Sequence, residues 1–107
     1  RAAAVEVATK GASLVPLAVM KETVKVFDLL GEMVLKGNAS SVTDAAVGVL
    51  AARACIRGAY LNVRINVSSL KDKPFAIQLV NEGAEIEKLA ANYEQKILAE
   101  AEKNISC

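Results

Sequence analysis

Histidine and tryptophan are absent from these 107 residues, and cysteine, methionine, proline, phenylalanine and tyrosine occur only twice each. With no His, and only Cys55 and Cys107 as thiols, the chain lacks a ligand set for zinc. No Ser-His or Cys-His nucleophile pair can be assembled either. No glycine-rich loop is present to cradle a phosphate. Charge of one sign is also lacking. The 13 basic and 12 acidic residues are well mixed and leave a net charge of +1. This excludes the basic tracts that grip a nucleic-acid backbone or an anionic membrane surface. No run reaches the roughly 18 consecutive apolar residues of a membrane span. The start, Arg1-Ala2-Ala3-Ala4, followed by Glu6 and Lys10, does not read as a secretory leader. The two distant cysteines are therefore read as free thiols in a reducing, cytoplasmic setting. The Asn-X-Ser matches at Asn38, Asn66 and Asn104 are read as chance.

What the chain does have is aliphatic surface. Hydrophobic residues make up 53% of it, mostly Ala, Val, Leu and Ile. Such a composition favours closely packed helices. It offers more apolar face than a lone small domain can cover, which points to self-association. No useful strand-period alternation and no internal repeat occur, so the expected fold class is all-α, a helical bundle.

The segments follow from periodicity and breakers. Arg1 to about Ser13 reads as a short helix or the end of a longer one. Pro16 is placed at a helix start, because proline in a helix interior removes a hydrogen bond. From there to Lys36, Leu17, Met20, Val24, Phe27, Leu30 and Val34 recur at three and four. Gly37 suits a left-handed helix end. After a loop at Asn38 to Ser40, Ser41 and Asp44 fit a capping box that opens a helix running to Val67. Ser68 to Asp72 is a turn. From Phe75 a long amphipathic helix follows, its Glu- and Lys-rich tail beyond Glu94 expected to fray.

The helix from Ser41 to Val67 is the most informative element. Val47, Leu50, Ala54, Leu61 and Ile65 form one apolar flank, and Val49, Ile56, Val63 and Val67 another, so it is expected in the middle of the bundle. Asp44, Gly48, Ala51, Cys55, Gly58, Ala59 and Asn62 form a stripe of small and polar side chains. It fits both a closely packed core helix and a helix lining a site. In a packed stripe, Gly58→Leu would overfill at about 1–3 kcal/mol. Arg53, Arg57, Tyr60 and Arg64 cluster on the opposite face, as a solvated edge or as a row facing an anion or a partner.

The run GNASSVTDAAVGVLAARACIRGAYLNVRINVSSLKDKPF, with Val15-Pro16-Leu17 upstream, resembles the formiminotransferase-cyclodeaminase C-terminal domain family over roughly Arg1 to Glu85. Loop, cap, Arg57-Gly58-Ala59-Tyr60 and Asn62-Val63-Arg64-Ile65-Asn66 come in the family's order and spacing. Ala39 and Ser40 depart from its usual loop. The resemblance implies that residues 1–107 are the C-terminal half of an up-and-down bundle domain that self-associates. Its substrate would be a tetrahydrofolate derivative, with no metal and no prosthetic group. The implied activity is formiminotetrahydrofolate cyclodeaminase, which releases ammonia to give 5,10-methenyltetrahydrofolate. The alternatives are methenyltetrahydrofolate cyclohydrolase and a non-catalytic helical assembly module. The catalytic acid is expected upstream of Arg1. Asn62, Asn66 and Arg64 are the expected substrate-binding residues. Asp44 lies about 27 Å along the helix from Asn62, so Ser41 and Asp44 are read as a cap or a contact to a neighbouring subunit. Folate, and no nucleic acid or membrane, is the expected partner.

Overall fold

The computed structural model describes residues 1–105, and within them the all-α expectation holds. Four helices follow one another: α1 (Ala2–Thr23), α2 (Val26–Lys36), α3 (Ala39–Val67) and α4 (Lys73–Lys103). They form a slender bundle of 59 × 20 × 17 Å in which α3 packs against the other three.

α3 is central because of one row of residues. Val42, Ala45, Val49, Ala52, Ile56, Ala59, Val63 and Val67 are all buried. Their steps of three and four repeat a heptad seam, the pattern that keeps one helix face turned to its neighbours. β-Branched residues alternate with alanines along the seam. The branched side chains fill space, and the alanines let adjacent helices come close. Leu17, Met20, Phe27, Val34, Leu70 and Leu79 pack onto this seam from the other elements.

Only one of the two apolar flanks of α3 is core. Val47, Leu50, Leu61 and Ile65 are between 51% and 67% exposed. Together with the exposed Ala51, Ala54 and Gly58 they make the back of α3 an uncharged surface. A Cβ added at Gly58 would meet nothing within 4 Å, so the expected overfilling by Gly58→Leu does not apply within this chain. By length and composition alone, Ala2–Lys36 and Ala39–Val67 are long and apolar enough to cross a membrane. Here they pack on each other and on α4.

The helix boundaries correct the sequence reading at three places. Pro16 lies inside α1, not at a helix start, and the break falls later, at Val24 and Lys25. Pro16 has no N–H to donate to the Ala12 carbonyl, and Asn66 Nδ2 of α3 donates to that oxygen instead, at 3.2 Å. Gly37 is extended (φ −83°, ψ 162°), not left-handed. Glycine suits it for another reason: a Cβ there would lie 2.5 Å from the Met33 carbonyl oxygen and 2.9 Å from Ser41 Cβ. Asn38, not Ser41, caps α3. Its side chain accepts a hydrogen bond from the Ser41 N–H at 2.9 Å, the usual N-cap geometry.

The turn between α3 and α4 lies where expected, with Pro74 in the first turn of α4 and Asp72 capping it through the Phe75 N–H at 3.1 Å. The tail of α4 is helical to Lys103, held by the buried Ile97 and Ala101. Cys55 is a free, exposed thiol. The reading of Cys107 lies outside the described residues.

Candidate functional site

Asn62 and Asn66 come together. One turn apart on α3, they line a groove of about 400 Å³ between α3 and α1, with Cys55 and Ala59 beside them and Val15, Pro16 and Val19 opposite. The heptad seam sets this geometry. Ala59 is buried against α1, which brings the next positions around the helix, Cys55, Asn62 and Asn66, to the edge of the α1 contact. Asn62 is exposed, and its carboxamide lines the groove free of intramolecular hydrogen bonds among the described residues. Asn66 is half-buried and partly committed: its Nδ2 satisfies Ala12 O, while its Oδ1 accepts no hydrogen bond within the described chain. Cys55 Sγ lies 3.7 Å from Thr23 Oγ1 at the upper end. The groove thus offers amide groups on an apolar bed, which suits a planar heterocycle with hydrogen-bonding edges.

Arg64 faces elsewhere. Its guanidinium stacks over the Tyr60 ring at 4.6 Å and lines a second groove, between α3 and α4, with Ser68, Lys73 and Asn81. Arg64 therefore does not reach the groove that holds the two asparagines. Tyr60 is fixed in turn: its hydroxyl donates to the Val80 carbonyl at 3.1 Å, and its ring lies where a Cβ on Gly83 would stand, 2.5 Å away. Arg53, on the same face, is no solvated edge. It is 13% exposed and ion-paired with Glu87, and its Nε is buried without a hydrogen bond, 3.9 Å from Glu94. It ties α3 to α4.

Ser41 and Asp44 take no part in either groove. With Asn38 as the cap, Ser41 supplies only a backbone N–H, and Asp44 is exposed. Gly48, in the same stripe, is where Leu30 of α2 approaches, 3.1 Å from a Cβ built there. The small stripe is thus packed at Gly48 and Ala59 and open at Asp44, Ala51, Cys55, Gly58 and Asn62.

Two features carried no readable sequence signal. Glu6 of α1 accepts hydrogen bonds from the Lys71 and Asp72 N–H groups at 2.9–3.1 Å, and Lys10 pairs with Asp72 at 2.7 Å. The two backbone N–H groups hold the Glu6 carboxyl below its ordinary range, and the Lys10 ammonium does the same for Asp72. This latch fastens the start of α1 to the α3–α4 turn. Phe27 and Tyr93 stack at 5.3 Å and wall a groove of about 330 Å³ between α2 and α4. The Tyr93 hydroxyl donates to Asp28 at 3.0 Å, which pushes its ionisation upward. Both depend on pairs more than sixty residues apart, which local periodicity does not encode. Among the described residues, no group of three or more His, Cys, Asp or Glu is placed to hold a metal ion.

Comparison with known proteins gives the chain its relatives. It is 42% identical over 82 residues to a methenyltetrahydrofolate cyclohydrolase of Methylorubrum extorquens, covering 77% of this chain and 39% of that protein. It is 36% identical over 95 residues to a formimidoyltransferase-cyclodeaminase of Dictyostelium discoideum, covering 89% of this chain and 18% of the relative. A formimidoyltransferase-cyclodeaminase of Sus scrofa is 34% identical over 79 residues, covering 74% of this chain and 15% of the relative. The chain thus spans well under half the length of the curated relatives it matches. The matched family pattern, formiminotransferase-cyclodeaminase, runs over residues 1–85 and takes in α1, α2, α3 and the first turns of α4, with both grooves of α3 inside it. On that match the chain belongs to the formiminotransferase-cyclodeaminase family.

Proposed function

We propose that this chain is the C-terminal half of a domain that acts on the one-carbon group of tetrahydrofolate, as a formiminotetrahydrofolate cyclodeaminase. The observation that carries the reading is the groove in which Asn62 and Asn66 sit together beside Pro16, within the family match. In the reaction, N10 of the folate attacks the N5-formimino carbon, the bond from that carbon to the exocyclic nitrogen breaks, and one proton is taken up as ammonia leaves. The product is the 5,10-methenyl cation. The reaction needs a proton donor and groups that stabilise an amidinium-like cation. The carboxamide oxygens of Asn62 and Asn66 serve the second need. The proton donor is assigned to the polypeptide that completes the domain, and no prosthetic group is called on. Arg64, on the other flank of α3, would take the carboxylates of the substrate's glutamate or hold a partner chain.

The exposed back of α3 supports the reading that this is half of a bundle. Val47, Leu50, Leu61 and Ile65 together exceed the scattered apolar exposure of an ordinary surface helix. We assign that face to the other half of the domain and to a homo-oligomeric interface, with Ser41 and Asp44 at its end available to a neighbouring subunit. The setting is cytoplasmic.

A second reading is methenyltetrahydrofolate cyclohydrolase, the name of the Methylorubrum relative, 42% identical. A third is a non-catalytic assembly module. One experiment separates them: a chimera in which residues 1–85 replace the matched segment of the Methylorubrum protein, offered formimino and methenyl folate in turn. Ammonia release from the first supports the cyclodeaminase, hydrolysis of the second the cyclohydrolase. A folded chimera that turns over neither, beside an active parent, leaves the assembly module.

A further inference from the structure

We infer that the groove between the C-terminal end of α3 and the start of α4 is a binding site for a multivalent oxyanion, with Arg64 and Lys73 as its cations. The inference extends the carboxylate contact given to Arg64 above and is independent of the chemistry in the Asn62 groove, which lies on the other flank of α3. The groove holds about 350 Å³ and is lined by Arg64, Lys73, Asn81 and Ser68 on a floor of Val67, Ala76, Ile77 and Val80. No carboxylate lines it. Six of the 13 cations, Lys10, Lys21, Lys25, Lys36, Arg53 and Lys103, each stand in an ion pair. Among the described residues, Arg64 and Lys73 have no such partner, yet they share one concavity. Arg57, two turns before Arg64 on the same face, is likewise unpaired and extends the positive line along α3.

Arg64 is also held in place. Its guanidinium lies over the Tyr60 ring, and Tyr60 is fixed by its bond to Val80 and by the missing Cβ of Gly83. Stacking occupies one face of the guanidinium and leaves its in-plane N–H groups for a bidentate oxyanion. Lys73 adds a point charge and Asn81 an amide donor. A ligand with two or more oxyanion groups, carboxylate or phosphate, matches this set.

The test is titration of the full chain with citrate and, separately, with tripolyphosphate, at constant ionic strength, read by calorimetry or amide shifts. Arg64→Gln and Lys73→Gln are measured beside Lys96→Gln, a cation outside this groove, with circular dichroism checking each fold. Saturable binding of either probe that weakens about tenfold or more in both groove variants and not in Lys96→Gln is expected, the loss that removing a charge-assisted hydrogen bond brings. Whichever probe binds identifies the carboxylate or the phosphate source. No saturable binding of either probe, or equal weakening in all three variants, overturns the inference.

Discussion

Asn66 stands at the point where site and fold meet, and its structural part can be measured apart from any ligand. Pro16 deprives the Ala12 carbonyl of its helical donor, and Asn66 Nδ2 replaces that donor at 3.2 Å. Because this bond is exposed to solvent, water can partly substitute, and Asn66→Ala should cost about 0.5–1.5 kcal/mol. Asn66→Asp should cost more, since a carboxylate oxygen would then face a carbonyl oxygen. Pro16→Ala restores the N–H and removes the ring clash, a gain of up to about 3 kcal/mol. Part of it, about 0.4–1 kcal/mol, is returned as the unfolded chain loses the stiffness of proline. The decisive quantity is the coupling. In the Pro16→Ala background Ala12 O has its own helical donor, so Asn66→Ala should become nearly neutral, a coupling of about 0.5–1.5 kcal/mol. Urea denaturation followed by far-UV circular dichroism on the four proteins of the cycle gives the number. An Asn66→Ala cost that is the same in both backgrounds would refute the substitution of one donor for the other.

Asn38→Ala should lower stability by about 1 kcal/mol, while Ser41→Ala should change it little, because the cap is the Asn38 side chain; thermal melts of the two variants decide. Gly83→Ala drives a Cβ into the Tyr60 ring and should cost about 1–3 kcal/mol, whereas Gly58→Ala, in open space, should stabilise the isolated chain by up to about 1 kcal/mol. If the back of α3 is an interface, the same Gly58→Ala should weaken assembly in sedimentation, and unchanged assembly would count against that face. Acid should loosen the bundle through the Glu6–Asp72 latch. Both carboxyls are held below their ordinary values of 4.5 and 3.8, so their stabilisation is complete above those values and fades as pH falls through the lowered ones. Glu6→Gln should flatten the stability profile below pH 4.5, and an unaltered acid limb would dismiss the latch.

The helical class, the α3–α4 turn and the seam of Val49, Ile56, Val63 and Val67 were legible because each is a local pattern of period or breaker. So was the pairing of Asn62 with Asn66, since positions one turn apart share a helix face wherever the helix packs. The placement of Pro16 was not, because its cost is offset by Asn66, fifty residues away in sequence. Capping was misread by one turn: both Asn38 and Ser41 are competent cap residues, and the choice depends on how the chain leaves α2. Which flank of α3 is core was hidden by the alanines. Ala45, Ala52 and Ala59 complete the buried seam, yet alanine is equally at home on a surface. The fate of Arg53, buried by Glu87 and Glu94, likewise rests on where α4 lies.

The central claim is that the Asn62 carboxamide faces the one-carbon centre of a folate. Asn62 is exposed, lines the groove and makes no intramolecular hydrogen bond among the described residues, so its replacement does not disturb the packing. The direct measurement is the turnover of formimino folate to the methenyl form by the completed domain, with and without Asn62→Asp, beside circular dichroism of both. The account predicts a large fall in turnover with an unchanged helical spectrum. Equal turnover in the two proteins would contradict it and return the groove to a seam between packed helices.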